Sequence, residues 1–252
     1  MVNDNQKLLS VIIPCFKQEK TIVKNLKEIK NILERIRYDW EIIVIVDGKV
    51  DQTYKQAKKV SSPKIRIYQL KNNHGKGHAV RFGMKKAKGD YIAFLDAGRE
   101  IDPSGIPMLL EHLEWYDADI IVGSKRHLVS QVNYPWERKI LSLGYYYFVK
   151  LFFGVKIKDT QAGIKIFKRK VLEKVLPVLL VKNYAFDIEI LSVANSFGFK
   201  RIFEAPIKLR YNFTSLTSAA TLKTIQNIFI DTLAVFYRLR ILKYYEKQKK
   251  LL

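Results

Sequence analysis

The chain has 252 residues, 48% of them hydrophobic and 12% aromatic, which suits one sizeable core and excludes a disordered or low-complexity chain. Its charge is unusual, because 45 Lys and Arg against 24 Asp and Glu leave a net charge of +21 and a pI near 9.8. Such an excess indicates a polyanionic partner, namely nucleic acid, an anionic membrane or a phosphorylated substrate, or else a surface that is simply rich in lysine.

The single cysteine, Cys15, excludes an intramolecular disulfide and is typical of a reducing cytoplasm. Four scattered histidines and one cysteine provide no zinc-type spacing. The polar start of the chain runs directly into a strand-like segment, so we expect no secretory signal peptide. No charge-poor apolar stretch reaches the roughly 18 residues that crossing a bilayer requires. We therefore expect a cytoplasmic protein that associates peripherally with any membrane it meets.

The first half of the chain alternates short β-rich runs with helical patterns, which predicts an α/β fold with a mostly parallel sheet flanked by helices. The predicted strands are Leu9–Pro14, Glu41–Val46, Lys64–Gln69, Tyr91–Leu95 and Ile120–Gly123, and the predicted helices are Glu19–Arg37, Asp51–Val60, Lys76–Ala87 and Ile106–Glu114. Sheets of this kind bind ligands at the carboxyl ends of their strands, so the residues that follow each strand form the candidate site.

After about residue 130 the sequence becomes aromatic and basic. The stretch Ile140 to Val155 predicts either an amphipathic helix at an interface or an aromatic helix of the core. A second helix, from about Ala220 to Tyr245, ends in a basic cluster that favours an anionic lipid surface. We divide the chain into a domain of residues 1–215 and a C-terminal amphipathic basic helix of residues 216–252, which belongs to the same unit.

Two loops that follow predicted strands suggest nucleotide chemistry. Asp47 follows a buried strand, where it either accepts a hydrogen bond from a ring N–H of a base or simply forms a turn. Gly75 and Gly77 flank Lys76 at the start of a helix, so the backbone there can approach phosphate oxygens while the lysine adds positive charge.

The loop that follows Tyr91–Leu95 is acidic. It carries Asp96, Glu100 and Asp102, which could hold Mg²⁺ or Mn²⁺ against diphosphate oxygens because hard cations take oxygen ligands. Asp102 precedes a proline and is equally suited to cap a helix. Asp96 closes an apolar strand, where a carboxylate needs a partner.

Ordered motifs run from about residue 8 to residue 240. They are Val11-Ile-Ile-Pro14, Glu41 to Thr53, Asn73 to Arg81, Gly89 to Asp96, Gly123-Ser124, Lys158 to Phe167, Phe186-Asp-Ile-Glu189 and Glu204-Ala-Pro206. Together they resemble the family-two glycosyltransferases with a GT-A fold, and among these the dolichyl- and polyprenyl-phosphate mannose and glucose transferases. The block Asp-Thr-Gln-x-Gly-x-Lys-x-Phe at 159–167 is the most specific element of the resemblance.

The resemblance implies a function and a set of site residues. A nucleotide diphosphate sugar, either UDP-glucose or GDP-mannose, would donate its hexose to a polyprenyl phosphate at an anionic membrane surface, with inversion; the Asp-Thr-Gln block favours glucose. The residues that the resemblance implies for the donor site are Pro14, Phe16, Glu19, Asp47, Lys76, Asp96, Ala97 and Gly98. The implied metal ligands are Asp96 and Glu100. The implied catalytic and acceptor residues are Asp96, Lys125, Arg126, Arg138, Ser142 and Gln161, with Arg210 as a further acceptor contact.

Four positions depart from the family pattern, and they leave alternatives open. The usual Asp-x-Asp is Asp96-Ala97-Gly98, the usual Asn-Glu is Lys17-Gln18 with Glu19 one residue on, the second strand ends in Val46-Asp47, and the late Gly-Ser-Lys is Thr214-Ser215-Leu216. One hypothesis is an enzyme with altered metal dependence, and another is a weakened homologue that binds nucleotide or lipid phosphate as a regulator or scaffold. A nucleic-acid binder rests on net charge alone, so we expect no nucleic-acid partner. The sequence predicts no oligomeric state.

Overall fold

The computed structural model describes residues 6–60, 62–98, 101–130, 136–210 and 222–251, and of residues 136–142 and 222–225 it describes only the backbone. The strands are β1 (Leu8–Cys15), β2 (Asp39–Val46), β3 (Ile65–Gln69), β4 (Tyr91–Leu95), β5 (Ile120–Ser124), β6 (Ile164–Lys168) and β7 (Ile202–Pro206). The helices are α1 (Ile22–Leu33), α2 (Thr53–Ala57), α3 (Lys76–Lys86), α4 (Ile106–Trp115), α5 (Trp136–Phe153), α6 (Arg169–Val175), α7 (Phe186–Ser196), α8 (Leu222–Phe236) and α9 (Tyr244–Lys249).

The strands form one sheet in the order β3-β2-β1-β4-β6-β5-β7. β6 runs antiparallel to both of its neighbours, and the other pairs are parallel. The predicted α/β fold with a mostly parallel sheet is therefore confirmed. Leu95 at the end of β4 lies opposite Ile164 at the start of β6, so the residues that precede β6 meet the carboxyl ends of the parallel strands.

Both faces of the sheet are covered because alternate side chains of a strand point to opposite faces. Ile12 and Ile43 belong to the apolar layer that includes residues of α3, α5, α7 and α8. Val11 and Ile42 belong to the opposite layer, with α1 and α4. Because both faces of the sheet are buried, β1 and β2 are continuous apolar runs in the sequence.

The second half of the chain adds two strands that the sequence did not predict. β6 is inserted between β4 and β5, and β7 pairs with β5 at the edge of the sheet. β6 carries Lys165, which is fully buried, and a lysine within a short apolar run normally indicates an exposed segment.

The predicted C-terminal helix is interrupted. α8 ends at Phe236, a π-helical turn follows at Tyr237–Ile241, and α9 begins after Lys243, whose φ is +49°. The Tyr245 hydroxyl is buried and donates a hydrogen bond to Glu189 Oε1 at 2.6 Å, which fixes α9 against α7. Among the helices in the described ranges, none combines the length and apolarity needed to span a bilayer.

Candidate active site

Side-chain hydrogen bonds join the loop that follows β1 to the loop that follows β2. Asp51 accepts hydrogen bonds from Thr53 N at 3.0 Å, Thr53 Oγ1 at 2.8 Å and Glu19 N at 3.3 Å. Glu19 Oε2 in turn accepts a hydrogen bond from Gln52 N at 3.0 Å. Glu19, a predicted donor contact, thus lies in the joint between the two loops, where it supports their shape.

Phe16 is the exposed aromatic side chain at the end of β1. Its ring is 40% exposed, and Lys17 Nζ lies 5.4 Å from the ring centroid. Pro14 is half-buried within β1, two residues before Phe16. An exposed ring beside a positive charge is a surface on which a nucleotide base can stack. Stacking on Phe16 and packing against Pro14 stay predictions.

Asp47 holds the loop that precedes α3. The side chain is buried, with Asp47 only 4% exposed, and its two oxygens accept hydrogen bonds from His74 N at 2.9 Å and Gly75 N at 2.8 Å. These bonds tie the end of β2 to the start of α3. The contact between Asp47 and a base N–H stays a prediction.

The glycines on either side of Lys76 are required by close packing. Gly75 has a φ of +96°, and a Cβ there would lie 2.7 Å from Lys182 O. A Cβ on Gly77 would lie 2.6 Å from the Phe186 Cβ. Both positions let α3 approach the start of α7, and the approach of phosphate oxygens to this backbone stays a prediction. The close packing of the two helices brings Lys76 close to Asp187.

Lys76 and Asp96 form the central ion pair of the site. The Lys76 Nζ atom is 2.8 Å from Asp96 Oδ1 and 2.9 Å from Oδ2, with 19% and 34% of the two side chains exposed. Asp96 N donates to Gly163 O at 2.9 Å, and a Cβ on Gly163 would lie 2.6 Å from Asp96 Cγ. Burial lowers the pKa of Lys76, but Asp96 and Asp187 outweigh it and raise the pKa overall, so the ammonium stays charged.

The loop after Asp96 determines which ligands a metal ion would find. Asn25 Nδ2 donates to Ala97 O at 2.8 Å and fixes the loop on α1, while Gly98 provides no carboxylate and Glu100 lies outside the described residues. The described ranges contain no cluster of three or more His, Cys, Asp and Glu side chains suited to a metal. Mg²⁺ usually binds one or two carboxylates together with substrate phosphates, so Asp96 fits such an ion when a diphosphate is present.

A second ion pair lies beneath the first. Lys165 Nζ is 2.5 Å from Asp187 Oδ1, and Asp187 Oδ2 is 4.0 Å from Lys76 Nζ. Burial raises the pKa of Asp187 and lowers the pKa of Lys165, and the attraction between the two charges opposes both shifts. Neither residue was predicted as part of the site.

Of the predicted acceptor residues, Lys125 and Gln161 lie beside Asp159. Lys125 N donates to Asp159 Oδ2 at 3.0 Å, Lys125 Nζ is 3.8 Å from the same oxygen, and Gln161 N donates to Asp159 Oδ1 at 3.2 Å. The Arg126 guanidinium stacks on Tyr146, with its carbon 5.5 Å from the ring centroid. The structure thus joins Lys125 and Gln161 through Asp159 between the end of β5 and the start of β6, with Arg126 next to Lys125 in the chain.

Gln161 also links this group to α5. Its Nε2 donates to the Tyr145 hydroxyl at 3.2 Å, and burial raises the pKa of Tyr145 to about 12, so the hydroxyl keeps its proton at neutral pH. The backbone of Arg138 and Ser142 lies on α5 as well, but their side chains are outside the described residues. Thr214 to Leu216 are also outside them.

Arg210 connects the chain after β7 with α1 and with the loop that follows β4. Its guanidinium is paired with Glu28 and with Asp102 Oδ1, the latter at 2.7 Å. Asp102 also accepts a hydrogen bond from Ser104 N at 2.9 Å and caps the short 3₁₀ turn Pro103–Gly105. Of the two roles considered for Asp102, the cap is the one that the structure describes.

Solved structures with this architecture are GT-A glycosyltransferases. The mannosyl-3-phosphoglycerate synthase of Rubrobacter xylanophilus aligns with a TM-score of 0.72 at 17% identity, over 92% of this chain and 74% of that one. The glucosyl-3-phosphoglycerate synthase of Mycobacterium tuberculosis, solved with Mn²⁺, UDP and phosphoglyceric acid, aligns with a TM-score of 0.69 at 17% identity, over 92% and 78%. At this identity the likeness shows the fold.

Residues 10–176 match the family model "Glycosyl transferase family 2", and the chain belongs to that family. It is 35% identical over 204 residues to a dolichyl-phosphate beta-glucosyltransferase of Drosophila melanogaster, which covers 75% of this chain and 63% of the relative. A Trichomonas vaginalis protein of the same name is 30% identical over 251 residues, 94% of this chain and 76% of the relative. The chain therefore spans slightly less than two thirds of the fly protein. The resemblance found in the sequence is confirmed.

Proposed function

We propose that the protein is an inverting hexosyltransferase that moves glucose from UDP-glucose to the phosphate of a dolichyl or polyprenyl lipid. The observation that carries the proposal is the continuous path from the Lys76–Asp96 pair through Gly163 to Gln161 and Lys125. One end of this path suits a nucleotide diphosphate, and the other end suits a phosphate monoester. The names of the fly and Trichomonas relatives support the choice of glucose and of a lipid phosphate.

The acceptor needs little chemical activation. A phosphate monoester has a second pKa near ~6 and is largely a dianion at neutral pH, so no side-chain base is required. One of its oxygens attacks the anomeric carbon, the bond from that carbon to the diphosphate oxygen breaks, and UDP leaves with the bonding electrons. The configuration of the sugar inverts because the attack comes from the face opposite the leaving group.

The enzyme's task is to hold two anions together and to stabilise the departing diphosphate. The Lys76 ammonium would neutralise charge on the donor, and Lys125 and Arg126, with Arg138 and Ser142, would hold the acceptor phosphate. Asp96 would bind a divalent ion, which supplies further positive charge to the diphosphate oxygens when bound. Asp96 itself is held in place by the backbone of Gly163.

A surface formed by α5, α8 and the turn that follows supports action at the cytoplasmic face of an anionic membrane. Its exposed apolar and basic side chains are Leu143, Tyr147, Lys150, Leu151, Phe229, Ile230, Leu233, Tyr237, Arg240, Ile241, Leu242 and Lys243. Their inner neighbours Val149 and Phe153 are buried, so α5 serves both as a core helix and as an interface helix. A surface of this kind suits the boundary between lipid headgroups and acyl chains. The surface is close to the Gln161–Tyr145 contact, because Tyr145 belongs to α5.

Gly98 favours one alternative function, a weakened homologue that binds nucleotide or lipid phosphate as a regulator or scaffold. The two functions are separated by a donor panel: purified protein, polyprenyl phosphate, and UDP-glucose or GDP-mannose, each with Mg²⁺, Mn²⁺ or EDTA. We expect lipid-linked glucose from UDP-glucose. Asp96→Asn should lower its formation by about a hundredfold, since it removes one pre-organised charge from the site. The control Asp117→Asn changes an exposed, ion-paired aspartate away from the site and should retain activity. UDP binding without transfer from any donor would support the alternative.

A further inference from the structure

The ion pair beneath the site is wholly buried. Lys165 is 0% exposed and Asp187 1% exposed, and Lys165 Nζ also donates to Ala162 O at 2.7 Å. Together with the outer pair, four charges alternate in sign from the core to the surface, in the order Lys165, Asp187, Lys76 and Asp96. Asp187 therefore lies between two ammonium groups, of which the outer one belongs to the donor site.

The ring of Phe94 gives both ammonium groups a common support. Lys165 Nζ is 5.0 Å and Lys76 Nζ is 5.5 Å from its centroid. Phe94 is itself fully buried and packs on Phe186 at 5.5 Å between centroids. A lysine side chain has four flexible bonds and loses considerable entropy when it is fixed. Two carboxylates and a ring face confine Lys76 before any ligand binds.

A buried ion pair is an inefficient way to stabilise a core. Desolvation offsets most of the attraction, and apolar side chains of similar volume often stabilise a protein equally well. Stability alone therefore does not explain why Lys165 and Asp187 occupy the second position of β6 and the first turn of α7. Their position directly behind a site lysine suggests a task connected with that lysine.

We propose that Lys165 and Asp187 are positioning residues, which hold the Lys76 ammonium at the place where the diphosphate of the donor binds. This inference rests on the proposed function, which assigns the donor to this loop. With Asp187 neutral, Lys76 loses one of its two anions, and Asp96 alone then determines where the ammonium lies. With Lys165 neutral, an unpaired Asp187 draws Lys76 inward. Either change moves the ammonium away from the diphosphate and leaves the base pocket at Phe16 untouched.

The test compares UDP with uridine, which lacks the phosphates, by isothermal titration calorimetry on the full chain in EDTA. The variant Lys165→Met/Asp187→Asn removes both charges, so no unpaired charge is left buried. We expect its affinity for UDP to fall about tenfold, the loss of one charge-assisted hydrogen bond. Its affinity for uridine should stay within about twofold of the original value. In a Lys76→Met background the same two substitutions should cause no further loss for UDP.

A matched control is Glu41→Gln/Arg66→Met, which neutralises a different ion pair. This pair is partly buried, has 2.6 Å between its atoms and lies far from the donor loop along β2. The control variant should bind both ligands as the original protein does. If the Lys165/Asp187 double variant does not fold, Asp187→Glu keeps the charge but displaces it, and should show the same selective loss for UDP.

Two results would overturn the positioning role: a folded double variant that binds UDP normally, or one that loses UDP and uridine equally, as a general loss of structure would cause. A different result marks failure of the proposed function. If the unmodified protein binds neither UDP nor uridine, the donor assignment is wrong, and the role of Lys165 and Asp187 is wrong with it.

Discussion

Gly163 lies directly against the side chain of Asp96. The carbonyl oxygen of Gly163 accepts a hydrogen bond from Asp96 N at 2.9 Å, and the Asp96 carboxylate fills the space that a Cβ on residue 163 would need. The position of the acidic side chain therefore depends on the absence of a side chain 67 residues later in the chain.

Gly163→Ala is expected to disable the site while leaving the fold intact. The added methyl group must displace the Asp96 carboxylate, and a displacement of about 1 Å at a reacting centre can lower turnover by about a hundredfold. Transfer of glucose to polyprenyl phosphate measures the effect, and thermal denaturation checks the fold. The control is Gly144→Ala, which adds a methyl group in open space on α5 and should leave transfer unchanged. Equal activity of the two variants would contradict the role given to Gly163.

Gly98→Asp is expected to strengthen metal binding. A Cβ at this position meets no atom within 4 Å, and the φ of Gly98 lies outside the left-handed region, so the new carboxylate can be accommodated. A second carboxylate near Asp96 should raise the affinity for Mn²⁺ in the presence of UDP by about tenfold or more. Titration of Mn²⁺ followed by electron paramagnetic resonance measures this. Gly98→Asn has nearly the same size without the charge and should not match it; if it does, charge is not the cause.

We expect Arg210 to stabilise the fold through its ion pair with Asp102. Burial raises the pKa of Asp102, but the hydrogen bonds from Arg210 and Ser104 outweigh it, so the pKa is below its usual value. A lowered carboxylate pKa adds stability above the unfolded pKa, near ~3.9, and this stability is lost as the pH falls through the folded pKa. Arg210→Met should therefore lower the free energy of unfolding by about 1 kcal/mol at pH 7, since the pair is partly exposed.

The difference between Arg210→Met and the original protein should shrink only as the pH is lowered below about 4 and through the lowered pKa of Asp102, since below that pKa the carboxyl is protonated in both proteins. Urea denaturation across this range measures it. A difference that is constant with pH would show that the stability comes from packing of the arginine side chain and not from its charge.

The α5–α8 surface is expected to bind vesicles that contain anionic lipid. Leu151 and Ile230 are 78% and 61% exposed, and Leu151→Glu/Ile230→Glu places two negative charges where acyl chains would pack. Loss of this apolar contact and the added repulsion should weaken binding by at least about tenfold. Cosedimentation with vesicles measures it. Trp115→Glu, an 85% exposed apolar residue at the end of α4, is the control, and an equal loss there would argue against a specific surface.

The central fold could be predicted from the sequence because its strands are buried on both faces and appear as unbroken apolar runs. β6 could not, since its alternation of apolar residues with Lys165 resembles an exposed strand; only the tertiary partner Asp187 makes the buried lysine tolerable. β7 was not predicted either, because it is a half-exposed edge strand that includes Phe203 and Glu204 and therefore lacks an unbroken apolar run.

The site was predictable to a similar extent. Lys76 and Asp96 could be predicted because Lys76 begins a helix and Asp96 directly follows an apolar strand. Their pairing, and the reason for Gly75 and Gly77, depend on the approach of α7 to α3, which no local pattern encodes. The resemblance alone predicts Gln161 as an acceptor residue, whereas its contact with Tyr145 could be seen only in the fold.

The antiparallel course of β6 has a consequence for how this protein can evolve. Gly163 and Gln161, which lie just before β6, contact Asp96 and Tyr145 respectively. Insertions in the outer loops can change what the site accepts, but the distance between these two contacts is set by the register of one short strand. A slip by one residue would turn Lys165 to the other face of the sheet and displace both contacts together. The outer loops can therefore diversify while the distance between these two contacts stays constant.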